Sequence, residues 1–206
     1  MKSLLRFFAL GAVLLATLLS VSACFPLVAS GVVMTGFVAV DRRTSGAMLE
    51  DQAIEVKTSA RIRDAFGERV HVNVSSYNRK VLLTGEVPDA QDKERVAEIA
   101  KNIDNTSSVW NEVGVTAITT LTERTNDLIA AGRIKADLID AKDLFSNAYK
   151  VVVERGNVYV MGRITARESK RVSSVISGVT GVKKVVLVHE TITEDELANL
   201  NAKPAN

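Results

Sequence analysis

The chain has 206 residues, with 26 Lys and Arg against 24 Asp and Glu, two His and a single Cys. One cysteine excludes an internal disulfide framework and any site built from several thiolates, and the near-neutral balance excludes a polybasic nucleic-acid binder. Apolar residues make up 47% of the sequence, enough for a packed core, and the length suits one ordinary domain or two small ones.

The N-terminus begins with Lys2 and Arg6 and an apolar stretch over residues 4–19, and it closes on Leu18-Leu19-Ser20-Val21-Ser22-Ala23-Cys24. A positive start, an apolar middle and small residues before a cut are the grammar of an export signal. The run resembles the lipobox of bacterial lipoproteins, in which diacylglyceryl is attached to the cysteine and the peptide before it is removed. That resemblance implies a signal peptide over residues 1–23 and lipidation at Cys24; an ordinary signal peptide, or a membrane helix carrying a buried cysteine, is the alternative. Phe25 and not Asp follows the cysteine, which by resemblance to enteric lipoproteins implies the outer membrane, facing the periplasm. A sulfur consumed by a thioether leaves no thiol for disulfide, metal or nucleophilic chemistry, and several acyl chains anchor durably where one binds weakly.

Loss of residues 1–23 would leave 24 basic and 24 acidic side chains. Their distribution is uneven: residues 50–119 hold 9 basic and 12 acidic, net −3, whereas residues 120–193 hold 12 and 8, net +4. The second half is the better candidate for an anionic partner. Residues 25–40 are apolar but contain Pro26, Gly31 and Gly36 and are short for a second span. They read as a membrane-proximal segment or a partly disordered tether, with residues 41–46 as linker, so that residues 24–49 form an anchor and spacer. Residues 194–206 read as a polar, solvated tail.

Between these ends the sequence repeats. Val96, Ile99, Ala100 and Ile103 form an apolar helical stripe, and Val172, Val175, Ile176 and Val179 reproduce it 76 positions later. Upstream, Val72-Asn73-Val74 and residues 80–87 form a predicted hairpin about the turn Tyr77-Asn78-Arg79-Lys80. Residues 149–153 and 157–164 do the same about Glu154-Arg155-Gly156-Asn157. A third strand follows each striped helix, over residues 109–113 and 182–188, and a further helix opens each copy, over residues 50–66 and 126–144. The order helix, strand, strand, helix, strand, twice over, predicts an α+β fold of two small tandem αββαβ sandwiches, each a three-stranded sheet with two helices on one face. The copies span residues 50–119 and 126–193. Sheets this small are expected to bury one face and little else.

Val81-Leu82-Leu83-Thr84-Gly85-Glu86-Val87, Val158-Tyr159-Val160-Met161-Gly162-Arg163-Ile164 and Gly181-Val182-Lys183-Lys184-Val185 resemble the motifs of the BON domain of bacterial envelope proteins. The first copy departs from the last motif, having Ser108-Val109-Trp110-Asn111-Glu112-Val113 without the glycine. A lipobox, a short apolar spacer and two such copies are together similar to the family of dual-BON outer-membrane lipoproteins associated with division and envelope stress. That resemblance implies contact with phospholipid.

Residue chemistry offers no catalytic site. His71 and His189 lack a second histidine, a cysteine or a carboxylate pair at ligand spacing, no serine stands in a nucleophile-elbow context, and Gly178-Val179-Thr180-Gly181 suits a helix stop better than a phosphate loop. The expectation is therefore no enzyme, no metal, no cofactor and no nucleic acid. For the helix over residues 126–144 a helical wheel places Leu128, Ala131, Ile134 and Leu138 inward. Ile129 and Arg133 then fall on another face with Gly132 and Ala136 nearby, and Asp140 on the same side. An exposed apolar residue beside a guanidinium suits anionic phospholipid of the phosphatidylglycerol type. The alternative is that Ile129 packs on the other copy and Arg133 is a solvated cation. Arg167, Lys170, Arg171, Lys183 and Lys184 form a second basic group, and Trp110 is either a core plug or a partner-facing anchor.

Two functions follow as expectations. In the first, the second copy binds anionic phospholipid and the lipoprotein supports envelope integrity; in the second, the chain is a periplasmic scaffold or chaperone-like factor for outer-membrane assembly proteins. Both depend on Cys24. Replacement Cys24→Ser should give a product with no fatty acid and an uncut leader, read from the intact mass and from loss of the membrane-fraction signal.

Overall fold

The computed structural model describes residues 41–202. Cys24, the signal segment and the apolar run of residues 25–40 lie outside the described residues. The first copy comprises α1 (Ser45–Phe66), β1 (His71–Tyr77), β2 (Lys80–Val87), α2 (Ala90–Lys101), β3 (Ser108–Asn111) and β4 (Gly114–Val115). The second comprises α3 (Leu121–Asp140), β5 (Tyr149–Glu154), β6 (Asn157–Ile164), α4 (Ala166–Ser177) and β7 (Lys184–Thr191), and α5 (Glu194–Ala202) follows. Each copy has an antiparallel hairpin whose middle strand, β2 or β6, is joined on its other side by a parallel strand after the second helix. This is the expected duplicated α+β plan.

The hairpin turns share one device. Asn78 and Arg79 have φ of 50° and 65°, and Arg155 and Gly156 have φ of 54° and 76°. Both pairs suit the twist of a tight hairpin, but a left-handed backbone is costly for residues other than glycine. A carboxylate on the opening helix of each copy offsets that cost. Asp51 accepts the amides of Asn78 and Arg79 at 2.7 Å each, and Asp127 accepts those of Arg155 and Gly156 at 2.7 and 2.8 Å. Burial alone would raise the Asp51 carboxyl, yet the Ser76 hydroxyl, the turn amides and Arg43 hold it below its ordinary value.

The glycine of each central strand answers to crowding. A Cβ on Gly85, at φ 105°, would lie 2.1 Å from the carbonyl oxygen of His71, and one on Gly162 would lie 2.9 Å from that of Ala148. The backbone at the start of each hairpin, His71 in the first copy and Ala148 just ahead of β5 in the second, thus passes where only hydrogen fits.

Both sheet faces are buried, which departs from the one-sided burial expected of sheets this small. Val81, Leu83 and Val87 of β2 face the first copy's helices, with Ile54, Ile62, Val96 and Ala100. Val158, Val160 and Ile164 of β6 face the second copy's helices, with Ile134, Leu138, Val172 and Ile176. The intervening positions meet across the copies: Tyr77 and Leu82 from the first pack with Tyr159, Met161 and Val188 from the second in a third apolar cluster. Full burial of one such side chain stabilises by about 1.5–3 kcal/mol, so the shared cluster holds the sheets face to face.

Four further expectations are corrected. The third strand of the first copy is split, because Asn111 turns its side chain to the Lys93 carbonyl at 2.8 Å and accepts the Val113 amide at 3.3 Å, kinking the strand between β3 and β4. The supposed linker is structured: Thr44 caps α1, which starts at Ser45, and Arg42 is buried. The supposed solvated tail begins with α5, whose Leu197 is buried. The third strand of the second copy lies over Lys184–Thr191, later than residues 182–188.

Arg42 reaches the second copy. Its guanidinium donates to both Glu168 carboxylate oxygens, at 2.7 and 2.8 Å, and to the Arg163 carbonyl at 2.7 Å. Glu168 also accepts the Thr165 amide in the capping box of α4. Burial would raise the Glu168 carboxyl, but the Arg42 and Thr165 hydrogen bonds hold it below its ordinary value. A carboxyl lowered on folding stabilises fully above the unfolded value of about 4.3, and that contribution is lost as pH falls through the lower folded value. Arg42→Ala should therefore cost about 3–5 kcal/mol at neutral pH by stranding a buried charge, with the deficit shrinking in acid. Gly85→Ala should cost at least about 2 kcal/mol. Gly132→Ala, in open space on α3, should gain about 0.5–1 kcal/mol. Urea midpoints at pH 7 and pH 4 measure all three.

Candidate functional site

Helix α3 is set by its ends and its inner line. Thr120 and Glu123 form a reciprocal capping box at its start. Ala130, Ile134 and Leu138 are buried against the sheet, and Asp127 continues that line to grip the β5–β6 turn. At 100° per residue this line leaves Leu128 outside. The inward placement expected for Leu128 is thus corrected: Asp127 must point inward to hold the turn amides, and its neighbour is displaced to solvent.

The outer face exposes several large apolar side chains. Leu121 is 81% exposed, Leu128 73%, Ile139 59% and Ile129 48%. Leu121, Leu128 and Ile139 fall within about 20° of one line, which runs roughly 27 Å along the helix. Gly132 lies beside this line with nothing within 4 Å of where a Cβ would stand. Arg133 is exposed near Ile129 and, among the described residues, takes part in no ion pair or side-chain hydrogen bond. Asp140 is exposed on the same side, and half-exposed Phe145 follows the helix. Ile129, Gly132 and Arg133 lie together on the solvent side of α3, with Ile129 half-exposed. Leu121, Leu128 and Ile139 were missed, although the spacing 121, 128, 139 is legible as a second stripe.

The second basic group is partly neutralised. Arg171 pairs with Asp143 at 2.8 Å and Arg167 with Glu194 at 3.4 Å, both at the surface, where such pairs contribute little. Lys170, Lys183 and Lys184 remain exposed.

Trp110 is 42% exposed on the edge strand β3, paired with Leu82 and on the face Leu82 uses. It stands at the rim of the cluster between the sheets and is not a sealed core plug.

The histidines differ. His189 on β7 has its pKa lowered by burial and by Lys80, and its Nε2 is 3.3 Å from the Thr191 hydroxyl. His71 does have a carboxylate pair beside it, contrary to the reading from spacing: its Nδ1 is 2.9 Å from Glu86, and Glu154 of the second copy lies close by. Burial pushes the Glu154 carboxyl above its ordinary range despite a hydrogen bond from Asn73, and the Glu86 charge adds to the rise.

A family model described as BON domain matches residues 50–117 and 126–188. The chain is 28% identical over 179 residues to the Outer membrane lipoprotein DolP of Haemophilus influenzae (strain ATCC 51907 / DSM 11121 / KW20 / Rd), covering 86% of this chain and 93% of that protein. It is 27% identical over 161 residues to the 21 kDa hemolysin of Actinobacillus pleuropneumoniae, covering 72% of this chain and 78% of that one. A solved structure of CdsD, a structural protein of the Type III secretion system of Chlamydia trachomatis, covers 77% of this chain and 99% of its own at 14% identity, with a TM-score of 0.30. So loose a superposition bears on neither fold nor function.

Proposed function

Since the chain belongs to the BON-domain family and carries two copies of that domain, we propose that it is a non-enzymatic outer-membrane lipoprotein whose second copy binds anionic phospholipid and which supports envelope integrity. The observation that carries this reading is the outer face of α3, where Leu121, Leu128, Ile129 and Ile139 are exposed beside Arg133, which has no ion-pair partner among the described residues. A stripe of this kind, lying along a helix and not spanning a bilayer, suits the boundary between headgroups and acyl chains. The Arg133 guanidinium meets a phosphate, and the excess positive charge of the second copy adds long-range attraction of about 1 kcal/mol per nearby cation. The family match and the name of the Haemophilus relative support the compartment. Acylated Cys24 would hold the domains near the bilayer at high effective concentration, so a weak headgroup contact is occupied often enough to report lipid composition.

A second reading rests on Trp110. Half-exposed on a four-residue edge strand, it offers an aromatic anchor and an open strand to an assembly protein of the outer membrane. This reading carries no lipid preference.

Co-sedimentation of the compact unit (residues 39–206), without the anchor, separates the two. Binding to vesicles containing phosphatidylglycerol should exceed binding to neutral vesicles at least fivefold and fade with salt. It should fall at least tenfold with Leu128→Glu or Arg133→Glu, and with Ile129→Glu, while Trp110→Ala leaves it unchanged. Equal binding to both vesicle types, or to neither, would sink the lipid reading, and capture of one stoichiometric envelope protein that requires Trp110 would favour the second.

A further inference from the structure

The pairing of β1 with β2 sets His71 opposite Glu86 and Asn73 opposite Thr84, on the sheet face turned to the second copy. Glu154, the last residue of β5, enters that face: its Oε2 accepts from Asn73 Nδ2 at 2.8 Å and from the Thr84 hydroxyl at 3.5 Å. Glu86 Oε2 accepts the amide and hydroxyl of Thr119 at 3.3 Å each and lies 2.9 Å from His71 Nδ1. One ligand atom from each of His71, Glu86 and Glu154 lies within 4.8 Å of the other two. Both carboxylates are buried, and among the described residues neither forms an ion pair with Lys or Arg. Buried carboxylates in proteins are paired, protonated or bound to metal. A separate observation points to a ligand: the Glu86 side chain is fully buried, yet among the described residues its Oε1 has no hydrogen-bond partner. An acceptor-only oxygen orphaned beside a second carboxylate is what a cation would satisfy.

We infer that His71, Glu86 and Glu154 form a divalent-metal site that clasps the two BON copies together. One imidazole and two carboxylates are a mixed nitrogen and oxygen set, suited to a borderline ion of the Zn²⁺ class and less to Ca²⁺, which takes six or more oxygens. Ligands of a tetrahedral Zn²⁺ at about 2.0–2.1 Å stand about 3.3 Å apart, so the three groups close inward slightly on binding. The His71 side chain keeps 23% of its surface in solvent, which supplies an entry path and room for a water as the fourth ligand. Asn73, Thr84 and Thr119 orient the carboxylates from behind. The site draws two ligands from the first copy and one from the second, so it acts on how the copies are joined and is independent of the lipid-facing helix.

The test is calorimetric titration of ZnCl₂ and CaCl₂ into the full-length chain in detergent, stripped of metal and with any free Cys24 thiol alkylated. One Zn²⁺ per chain is expected, bound at least tenfold more tightly than Ca²⁺ and raising the unfolding temperature. Glu154→Gln and His71→Gln should each weaken Zn²⁺ at least tenfold. Absence of stoichiometric Zn²⁺ binding, or undiminished binding by Glu154→Gln, overturns the proposal. Should the variants fail to fold, imidazole NMR of the unaltered chain decides: Zn²⁺ must shift His71 and leave His189 in place, and a shift of His189 alone, or of neither, overturns it.

Discussion

The apolar contact between the two sheets is the constraint from which the remaining features follow. A domain this small buries little apolar surface by itself, and the two sheets gain stability by covering each other's second face. Tyr77, Leu82, Tyr159, Met161 and Val188 supply that cover. The consequence is a demand on every polar residue that shares the face, because each is taken out of water and needs a partner inside. Lys150 pairs with Glu55 and Asn78 with Glu190, both across the copies. The same demand brings Asn73 to Glu154 and His71 to Glu86.

Sheets that face each other leave the helices outside. The inner line of α3 needs only Ala130, Ile134 and Leu138, with Asp127 spent on the turn. Its exposed leucines and isoleucines have no part in that inner line, so their presence at the outer surface calls for another explanation. Isolated exposed apolar residues are ordinary, but Leu121, Leu128 and Ile139 along one line of a helix, with Ile129 on the adjoining side, are more than scatter. The helix thus divides its labour: one side grips a hairpin through a carboxylate, and the other is offered to the surroundings.

The duplicated fold was legible because the repeat supplied each pattern twice. Val96 and Val172 are both buried in the cores they were expected to line, as are Ala100 and Ile176. The wheel for α3 failed at one position, since Asp127 and Leu128 are neighbours and hydrophobicity favours the wrong one. A signal was present: Asp51 and Asp127 are separated by the same 76 positions as the apolar stripes, which a purely apolar reading discards. The role of Arg42 had no such signal, because it lies before the repeat and its partner is 126 residues away. The meeting of His71, Glu86 and Glu154 was likewise invisible, for it depends on how two copies face each other and on no spacing within either.

The strap formed by Arg42 has a bearing on how such proteins evolve and how they can be dissected. Duplication produced two modules, but the residue that neutralises the second module's interior carboxylate is encoded ahead of the first. A fragment holding the second module by itself would strand that carboxylate and uncover the apolar flank made by Tyr159, Met161 and Val188. That pair and the shared flank tie the stability of each module to the presence of the other.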